Sequence, residues 1–175
     1  SNFILGQSVW INEIHYDNTG TDVNEGFEIM ASSGTDLSCY TVYHINGAGG
    51  GIINSTVLSG IVGDLGCGLG AIWFSTSYAL QNGSDGLALY NTCSSTLVQF
   101  ISYEGTPITA TAGPLGLNGA TSTVIGVTET SSTATTESLQ LNGTGSSYGD
   151  FTWSSYATST QDALNTTQTI SPCSS

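Results

Sequence analysis

The chain has 175 residues, a length typical of one globular domain with its own hydrophobic core. It contains no lysine or arginine and 13 acidic residues, which gives a formal net charge of −13. Because no cationic side chain is present to neutralise phosphates, we expect no nucleic acid partner, and because no apolar run reaches ~18 residues, we expect no membrane insertion.

The first predicted element is an apolar N-terminal arm, residues 1–8, followed by a single domain over residues 9–175. The arm contains three large apolar residues, Phe3, Ile4 and Leu5. A Gly-Gln-Ser spacer separates them from the first core strand, and two interpretations remain open. The arm either packs on its own domain or adds as a strand to the sheet edge of a neighbouring subunit.

From Val9 onward, runs rich in β-branched and aromatic residues alternate apolar with polar side chains, and Gly, Asn, Asp and Ser separate them. This pattern predicts strands joined by tight turns, and no segment keeps the spacing of a long amphipathic helix. The predicted strands are VWINEIHY, GFEIMA, YTVYHI, IINSTVL, GAIWFS, GLALYN, LVQFISY, TVIGVTE, ESLQLN and FTWSS. Ten short strands in close succession indicate an all-β protein with two packed sheets.

Acidic and amide residues concentrate between the first two predicted strands, at Asp17, Asn18, Asp22, Asn24 and Glu25. Asx side chains in a turn accept hydrogen bonds from nearby backbone amides, which explains most of this composition. Three carboxylates without a basic neighbour also repel one another, and Ca²⁺ with its oxygen ligands would relieve that repulsion. We therefore consider calcium at Asp17, Asp22 and Glu25, although the spacing differs from an EF-hand loop, and we expect no other cofactor.

Catalytic arrangements find little support in the sequence. Glu25 and Glu28 would suit glycoside hydrolysis as a pair of carboxylates, but three residues apart on a strand they lie on opposite faces. We predict that Glu28 faces solvent or caps a sheet edge. A Ser-His-Asp triad has no GxSxG turn to carry it, and His15 and His44 both lie in strand runs. We expect that the protein is not an enzyme.

Four widely spaced cysteines without a CxxC pair are typical of disulfides rather than of a zinc site. Cys67 and Cys93 flank the GAIWFS and GLALYN strands, and Cys173 follows the last strand, from where the chain can return to Cys39. Of the three possible pairings we predict Cys67–Cys93 and Cys39–Cys173. The expected setting is secreted, either extracellular or at the cell surface.

Asn-X-Ser/Thr sequons agree with secretion, because N-linked sugars are added on exposed turns and strand ends of secreted proteins. The acceptor asparagines are Asn54, Asn82, Asn142 and Asn165. If the source N-glycosylates, we expect each to be at least partly modified. Asn82 is the strongest of them because an Asn-Gly turn contains it.

Several stretches match the pattern of one family in its own order, from about Val9 to Ile170. They are INEIHYDN, EGFEI, DLSCYTV, LQNGSDGLAL, VQFISYEG, ESLQL and ALN. Together they resemble the lamin tail domain family, particularly the version found in secreted bacterial proteins. The resemblance implies an immunoglobulin-like β-sandwich that serves as an accessory or interaction module without catalysis. The chain departs from the family at Cys39, where the family usually has Gly, and in its complete lack of Lys and Arg. These departures argue against a passive accessory role.

Two functional hypotheses follow. A neutral polar surface, disulfides, sequons and a spare apolar arm favour a secreted structural protein that assembles head to tail into a fibre or matrix. Exposed aromatic rings would instead serve a carbohydrate- or cell-surface-binding adhesion module. The candidate rings are Trp10, Trp73, Trp153, Tyr148 and Tyr156. Because each tryptophan lies in an alternating run typical of a core strand, we favour the structural hypothesis, whose partner is another copy rather than surface glycans.

Overall fold

The computed structural model describes residues 8–173, in which eleven strands form two sheets that pack face to face as an immunoglobulin-like β-sandwich. The strands are β1 (Val9–His15), β2 (Gly26–Ser32), β3 (Tyr40–Asn46), β4 (Ile52–Val57), β5 (Leu69–Ser75), β6 (Asp85–Asn91), β7 (Thr96–Tyr103), β8 (Thr123–Val124), β9 (Glu137–Gly145), β10 (Phe151–Thr158) and β11 (Gln168–Ile170). Single 3-10 turns, Leu37–Cys39 and Tyr148–Asp150, precede β3 and β10. The predicted all-β sandwich is confirmed.

The sheets combine strands that are distant in sequence. The terminal sheet has the order β10-β9-β1-β2-β5, and β11 pairs with β9 in parallel. The central sheet has the order β4-β3-β6-β7-β8, in which only the β7–β8 pair is parallel. Because β1 pairs with both β2 and β9, the two ends of the described chain meet in the terminal sheet.

Each of the ten predicted strands overlaps an observed strand. The eighth is reduced to Thr123–Val124. The prediction missed β11, because three residues are too few for an alternating pattern to stand out from a loop. Neither short helix of the described part has the length or apolar character needed to cross a membrane.

A bulge in β1 changes which of its side chains face the core and which face the outer side of the terminal sheet. The register with β2 shifts between Ile11 and Glu13, so Asn12 is the extra residue. Ile11 and Ile14 therefore both enter the core between the sheets and are fully buried. Asn12 and Glu13 are left to join a polar network on the opposite face.

A segment of chain covers the outer face of each sheet. Residues 106–122, the middle cover, contribute Ile108, Ala110 and Leu117 to a second apolar cluster. Their partners on the central sheet are Ile45, Ala88 and Phe100. Residues 158–170, the C-terminal cover, run from the end of β10 across the outer face of the terminal sheet to β11. They hydrogen-bond to Glu13 and Glu28.

The predicted disulfide pairing is wrong, because Cys39 bonds to Cys93 and Cys67 bonds to Cys173. Cys39 directly precedes β3 and Cys93 follows β6, and these strands are neighbours with Tyr40 opposite Asn91. The Cα atoms of Cys39 and Cys93 are consequently 5.3 Å apart. The prediction considered order along the chain and not this strand pairing. Two disulfides fit an oxidising compartment.

Candidate functional site

Strand β4 forms one edge of the central sheet. It pairs with β3 on one side and with no described strand on the other. Its register with β3 shifts beside Ile45, which leaves residues 54–57 as a regular stretch. Asn54, Ser55 and Val57 are exposed there, and no residue of the strand is charged or proline. Such an edge presents unpaired backbone groups that can hydrogen-bond to another strand.

The other sheet edges are better protected. On β5, the Trp73 backbone N–H donates to Asp162 Oδ1 at 2.8 Å, and the preceding loop folds back so that Leu65 N–H donates to the Leu69 carbonyl. Strand β8 has two residues, and β10 is interrupted by a register shift between Ser154 and Ala157. Short strands, shifts and covering loops are common ways to block edge pairing.

Strand β4 ends in an exposed apolar side chain. Val57 is 73% exposed, and Ile61 in the following loop is 63% exposed. Leu65, which is 39% exposed, lies beside β5 instead, where its N–H donates to the Leu69 carbonyl. A strand added at β4 would therefore find Val57 as an apolar side-chain partner in addition to backbone hydrogen bonds. The predicted assembly residues, Phe3, Ile4 and Leu5, lie outside the described residues.

The acidic loop between β1 and β2 is closed by hydrogen bonds from neutral donors. Asp22 Oδ1 accepts from Asn18 N–H at 3.0 Å, and Oδ2 accepts from Asn82 Nδ2 at 2.8 Å. Glu25 accepts from the Leu80 backbone N–H. Burial, followed by the charge of Asp22, raises the pKa of Asp17. Within residues 8–173 no three His, Cys, Asp or Glu side chains form a group able to hold a metal ion, so calcium stays a prediction.

Glu28 is fully buried, and the prediction that it faces solvent is wrong. Alternation does turn it away from the core, but the C-terminal cover lies over that face. Its Oε1 accepts from Asn12 Nδ2 at 3.0 Å, and its Oε2 accepts from the Asp162 backbone N–H at 2.8 Å. Burial, followed by the charge of nearby Glu13, raises the pKa of Glu28 to about 8.

Glu13 is the second buried carboxylate on this face, and neutral groups surround it. Its Oε1 accepts from Ser138 Oγ at 2.5 Å, from Ser159 Oγ at 2.8 Å and from Thr160 N–H at 3.0 Å. Its Oε2 accepts from Thr160 Oγ1 at 2.9 Å. In a chain without Lys or Arg, hydroxyl and amide donors thus take the place of a counterion.

Both histidines are buried, and each pairs with a carboxylate. His15 Nδ1 lies 2.8 Å from Glu129 Oε1, and His44 Nε2 lies 2.7 Å from Asp85 Oδ2. Burial lowers the pKa of His15, but the hydrogen bond and charge of Glu129 outweigh it and leave that pKa raised. The second nitrogen of His15 contacts Asn18, and that of His44 has no partner in the described chain, so neither ring contacts a serine hydroxyl.

The sequons differ in exposure. Asn54 and Asn82 are exposed and Asn142 is half-buried. Asn165 is buried, and its Nδ2 donates to the Asn12 carbonyl at 3.0 Å and to the Leu141 carbonyl at 2.8 Å. The predicted modification of Asn165 is therefore incompatible with the fold, because its side-chain nitrogen points from the C-terminal cover into the terminal sheet and is engaged there.

A cleft of about 510 Å³ opens between the C-terminal cover, the loop before β9 and the loop before β2. Its walls carry hydroxyl, amide and methyl groups and no charged side chain. The lining residues are Asn24, Thr135, Thr136, Thr158, Ser159, Thr160, Gln161 and Ala163. Sequence patterns gave no signal for this cleft, because its walls come from three loops that are far apart in the chain.

Comparisons with protein-family models, with curated proteins and with solved structures give no match for this chain.

Proposed function

We propose that the chain is a non-catalytic, secreted structural protein whose copies assemble head to tail. In this proposal the N-terminal arm of one copy adds as a strand to β4 of the next. The observation that carries the proposal is the exposed, uncharged edge at residues 54–57, which ends in the exposed apolar side chain of Val57.

The arm suits this edge in length and pattern. Seven residues precede Ser8, and in extended form they span roughly 23 Å, more than the four-residue edge needs. Side chains alternate along a strand, so Phe3 and Leu5 share one face. With that face turned toward Val57, both would meet apolar surface.

Charge sets the conditions for assembly. Each copy carries a formal charge of −13, which opposes association at long range. The β4 edge itself has no charged residue, so the contact buries no carboxylate. Since salt screens repulsion between exposed charges, assembly strengthens with ionic strength, and added Ca²⁺ acts in the same direction.

The resemblance to the lamin tail domain family belongs to the same proposal. The stretches that carry it fall on β1, β2, β3, β6, β7 and β9 and on the C-terminal cover. The resemblance implies that these strands belong to a two-sheet interaction module, and two disulfide bonds fit a secreted setting.

The test compares two lysine substitutions of exposed apolar residues. Val57→Lys places a charge on the β4 edge, and Leu115→Lys places the same charge on a loop residue that is 81% exposed. Light scattering after size exclusion and electron microscopy across a salt series should show assembly of the full chain and of Leu115→Lys. Val57→Lys, and a chain lacking residues 1–6, should be folded monomers. Assembly of Val57→Lys equal to the full chain, or a monomeric full chain at every salt concentration, would contradict the proposal.

Glycosylation offers an independent check at the same edge. Asn54 is exposed on β4, and a glycan there would obstruct an added strand. Peptide mass mapping of assembled protein should find Asn54 unmodified even where Asn82 carries sugar. A glycan on Asn54 in the assembled form would place the contact elsewhere.

A further inference from the structure

The cleft beside the C-terminal cover is lined by groups suited to a ligand rich in hydroxyls. Thr135, Thr136 and residues 158–161 bring hydroxyl and amide groups to its walls, and no carboxylate lines it. The cleft has a volume of about 510 Å³ and is largely open to solvent, so a ligand would lie along it rather than be enclosed. Hydroxyl and amide groups both donate and accept hydrogen bonds, as sugar hydroxyls do, but Ser159 and Thr160 donate theirs to Glu13 and offer a ligand only acceptor oxygens.

The walls of the cleft are fixed by hydrogen bonds to groups beneath and beside it. Ser159 and Thr160 donate to the buried Glu13 carboxylate at 2.8 to 3.0 Å. Ser159 N–H donates to the Thr136 carbonyl at 2.8 Å, which joins the C-terminal cover to the loop before β9. Asn24 Nδ2 donates to the Thr135 carbonyl at 3.3 Å, which joins the third wall. Such preorganisation lowers the ordering cost of binding.

One tryptophan on β5 contacts the C-terminal cover next to the cleft, although it does not line the cleft itself. Trp73 is partly exposed, whereas Trp10 and Trp153 are 0% and 8% exposed. Its ring lies over Gly26, where an added Cβ would come within 2.8 Å of Trp73 Cζ2. Gly26 is two residues from Asn24 in the cleft wall. The Trp73 backbone N–H donates to Asp162, which lies between Gln161 and Ala163 of the same wall.

We propose that this cleft binds a neutral carbohydrate, with the hydroxyl and amide groups of the walls as hydrogen-bonding partners and with Trp73, which contacts the C-terminal cover at Asp162, as a stacking platform for a sugar that extends beyond the cleft. The faces of sugar rings present C–H groups that pack on indole, and their hydroxyls match the cleft walls. A sugar acid is disfavoured, because the chain has no Lys or Arg and a formal charge of −13. This proposal does not depend on assembly through β4.

The experiment titrates the purified full chain with cellotriose, maltotriose, diacetylchitobiose and, as the anionic counterpart, digalacturonate, each to about 10 mM. Calorimetry measures affinity, and tryptophan fluorescence locates binding near the only partly exposed tryptophan of the described chain. We expect saturable binding of at least one neutral sugar and none of digalacturonate. No saturation by any neutral sugar, or tighter binding of digalacturonate, would overturn the proposal.

Three variants then test the location. Trp73→Ala should weaken binding by roughly tenfold or more, while Trp73→Phe, which keeps a ring, should retain most of it. Gln161→Ala changes only an exposed loop residue, so it tests the cleft even if Trp73→Ala fails to fold. It should also weaken binding, whereas Leu115→Ala, far from the cleft in sequence and exposed, should not. Unchanged affinity in both Trp73→Ala and Gln161→Ala would exclude the cleft.

Discussion

The middle cover meets the central sheet through apolar side chains, whereas the C-terminal cover meets the terminal sheet through carboxylates, amides and hydroxyls. Under the first, Ile108 and Leu117 are 4% and 0% exposed within a separate apolar cluster. Under the second, Glu13 and Glu28 are both 0% exposed and accept hydrogen bonds from the cover. Two outer faces of one sandwich are thus closed by different interactions.

The difference matters because the two kinds of contact respond differently to conditions and to mutation. Apolar burial is non-directional and insensitive to pH, and it tolerates small shifts of the covering loop. A buried carboxylate is tolerated only when its hydrogen bonds are satisfied, so it fixes the position of each donor. The C-terminal cover can therefore hold the cleft walls in a defined geometry, but its stability depends on the ionisation of the carboxyl groups beneath it.

The largest expected effect comes from opening the Cys67–Cys173 disulfide, which anchors the chain three residues after the C-terminal cover. Cys67 and Cys173 are 106 residues apart, and closing a loop of that size contributes about 4.7 kcal/mol in the chain-entropy model. The double variant Cys67→Ser, Cys173→Ser should lose stability of that order. In hydrogen exchange, amides in residues 158–170 should lose protection first.

The matched control is Cys39→Ser with Cys93→Ser, a bond that spans 54 residues and does not hold the C-terminal cover. It should lower global stability without selective exposure of residues 158–170. Equal exchange of both covers in the Cys67 and Cys173 variant would contradict the assignment of this bond to the C-terminal cover.

A second prediction concerns the middle cover. Leu117 is fully buried, and Leu117→Ala should cost about 3 kcal/mol through lost burial and the cavity it leaves. The neighbouring Leu115 is 81% exposed, so Leu115→Ala should change the free energy of unfolding by less than about 0.5 kcal/mol. Urea denaturation should give the same loss for Leu117→Ala at acidic and neutral pH. A loss that changed with pH would mean that ionisable groups also hold the middle cover.

The two covers also mark where sequence analysis succeeds and fails. Alternation located the strands, because a residue that packs between sheets must be apolar and its neighbours face away. Alternation cannot tell whether the outward face meets water or another segment. Glu28 was therefore expected to face solvent or cap a sheet edge and Asn165 was expected to carry sugar, yet Glu28 is buried beneath the C-terminal cover and Asn165 is buried within it. The cysteine pairing failed for a related reason, because it depends on β3 and β6 being neighbours, which local patterns do not reveal.

The smallest expected effect comes from the ionisation of Glu28 beneath the C-terminal cover. The pKa of Glu28 is raised from 4.5 to about 8 by burial and by Glu13, so the folded state favours its protonated form. That contribution to stability is fully present below the unfolded pKa and is lost as the pH rises through the folded pKa. Between about pH 5 and pH 7 the loss should amount to about 2 kcal/mol. Glu28→Gln, which stays neutral, should remove this part of the pH dependence.

Urea midpoints of the wild type and of Glu28→Gln, measured near pH 5 and near pH 7, test whether Glu28 causes this pH dependence. Near pH 5 Glu28→Gln should be less stable than the wild type by about 1–3 kcal/mol, because its amide NH2 group must face the N–H of either Asn12 or Asp162. Near pH 7 this deficit should be smaller by about 2 kcal/mol, because only the wild type loses stability as Glu28 ionises. The raised pKa of His15 gives a trend of the same sign, but it is common to both proteins and cancels in their difference.

Glu13→Gln is the contrasting variant, because it turns a donor toward the hydroxyl and N–H groups of Ser159 and Thr160 and should destabilise the fold at both pH values. If the gap between wild type and Glu28→Gln is the same at both pH values, Glu28 does not titrate in this window, and the C-terminal cover holds as independently of pH as the middle cover.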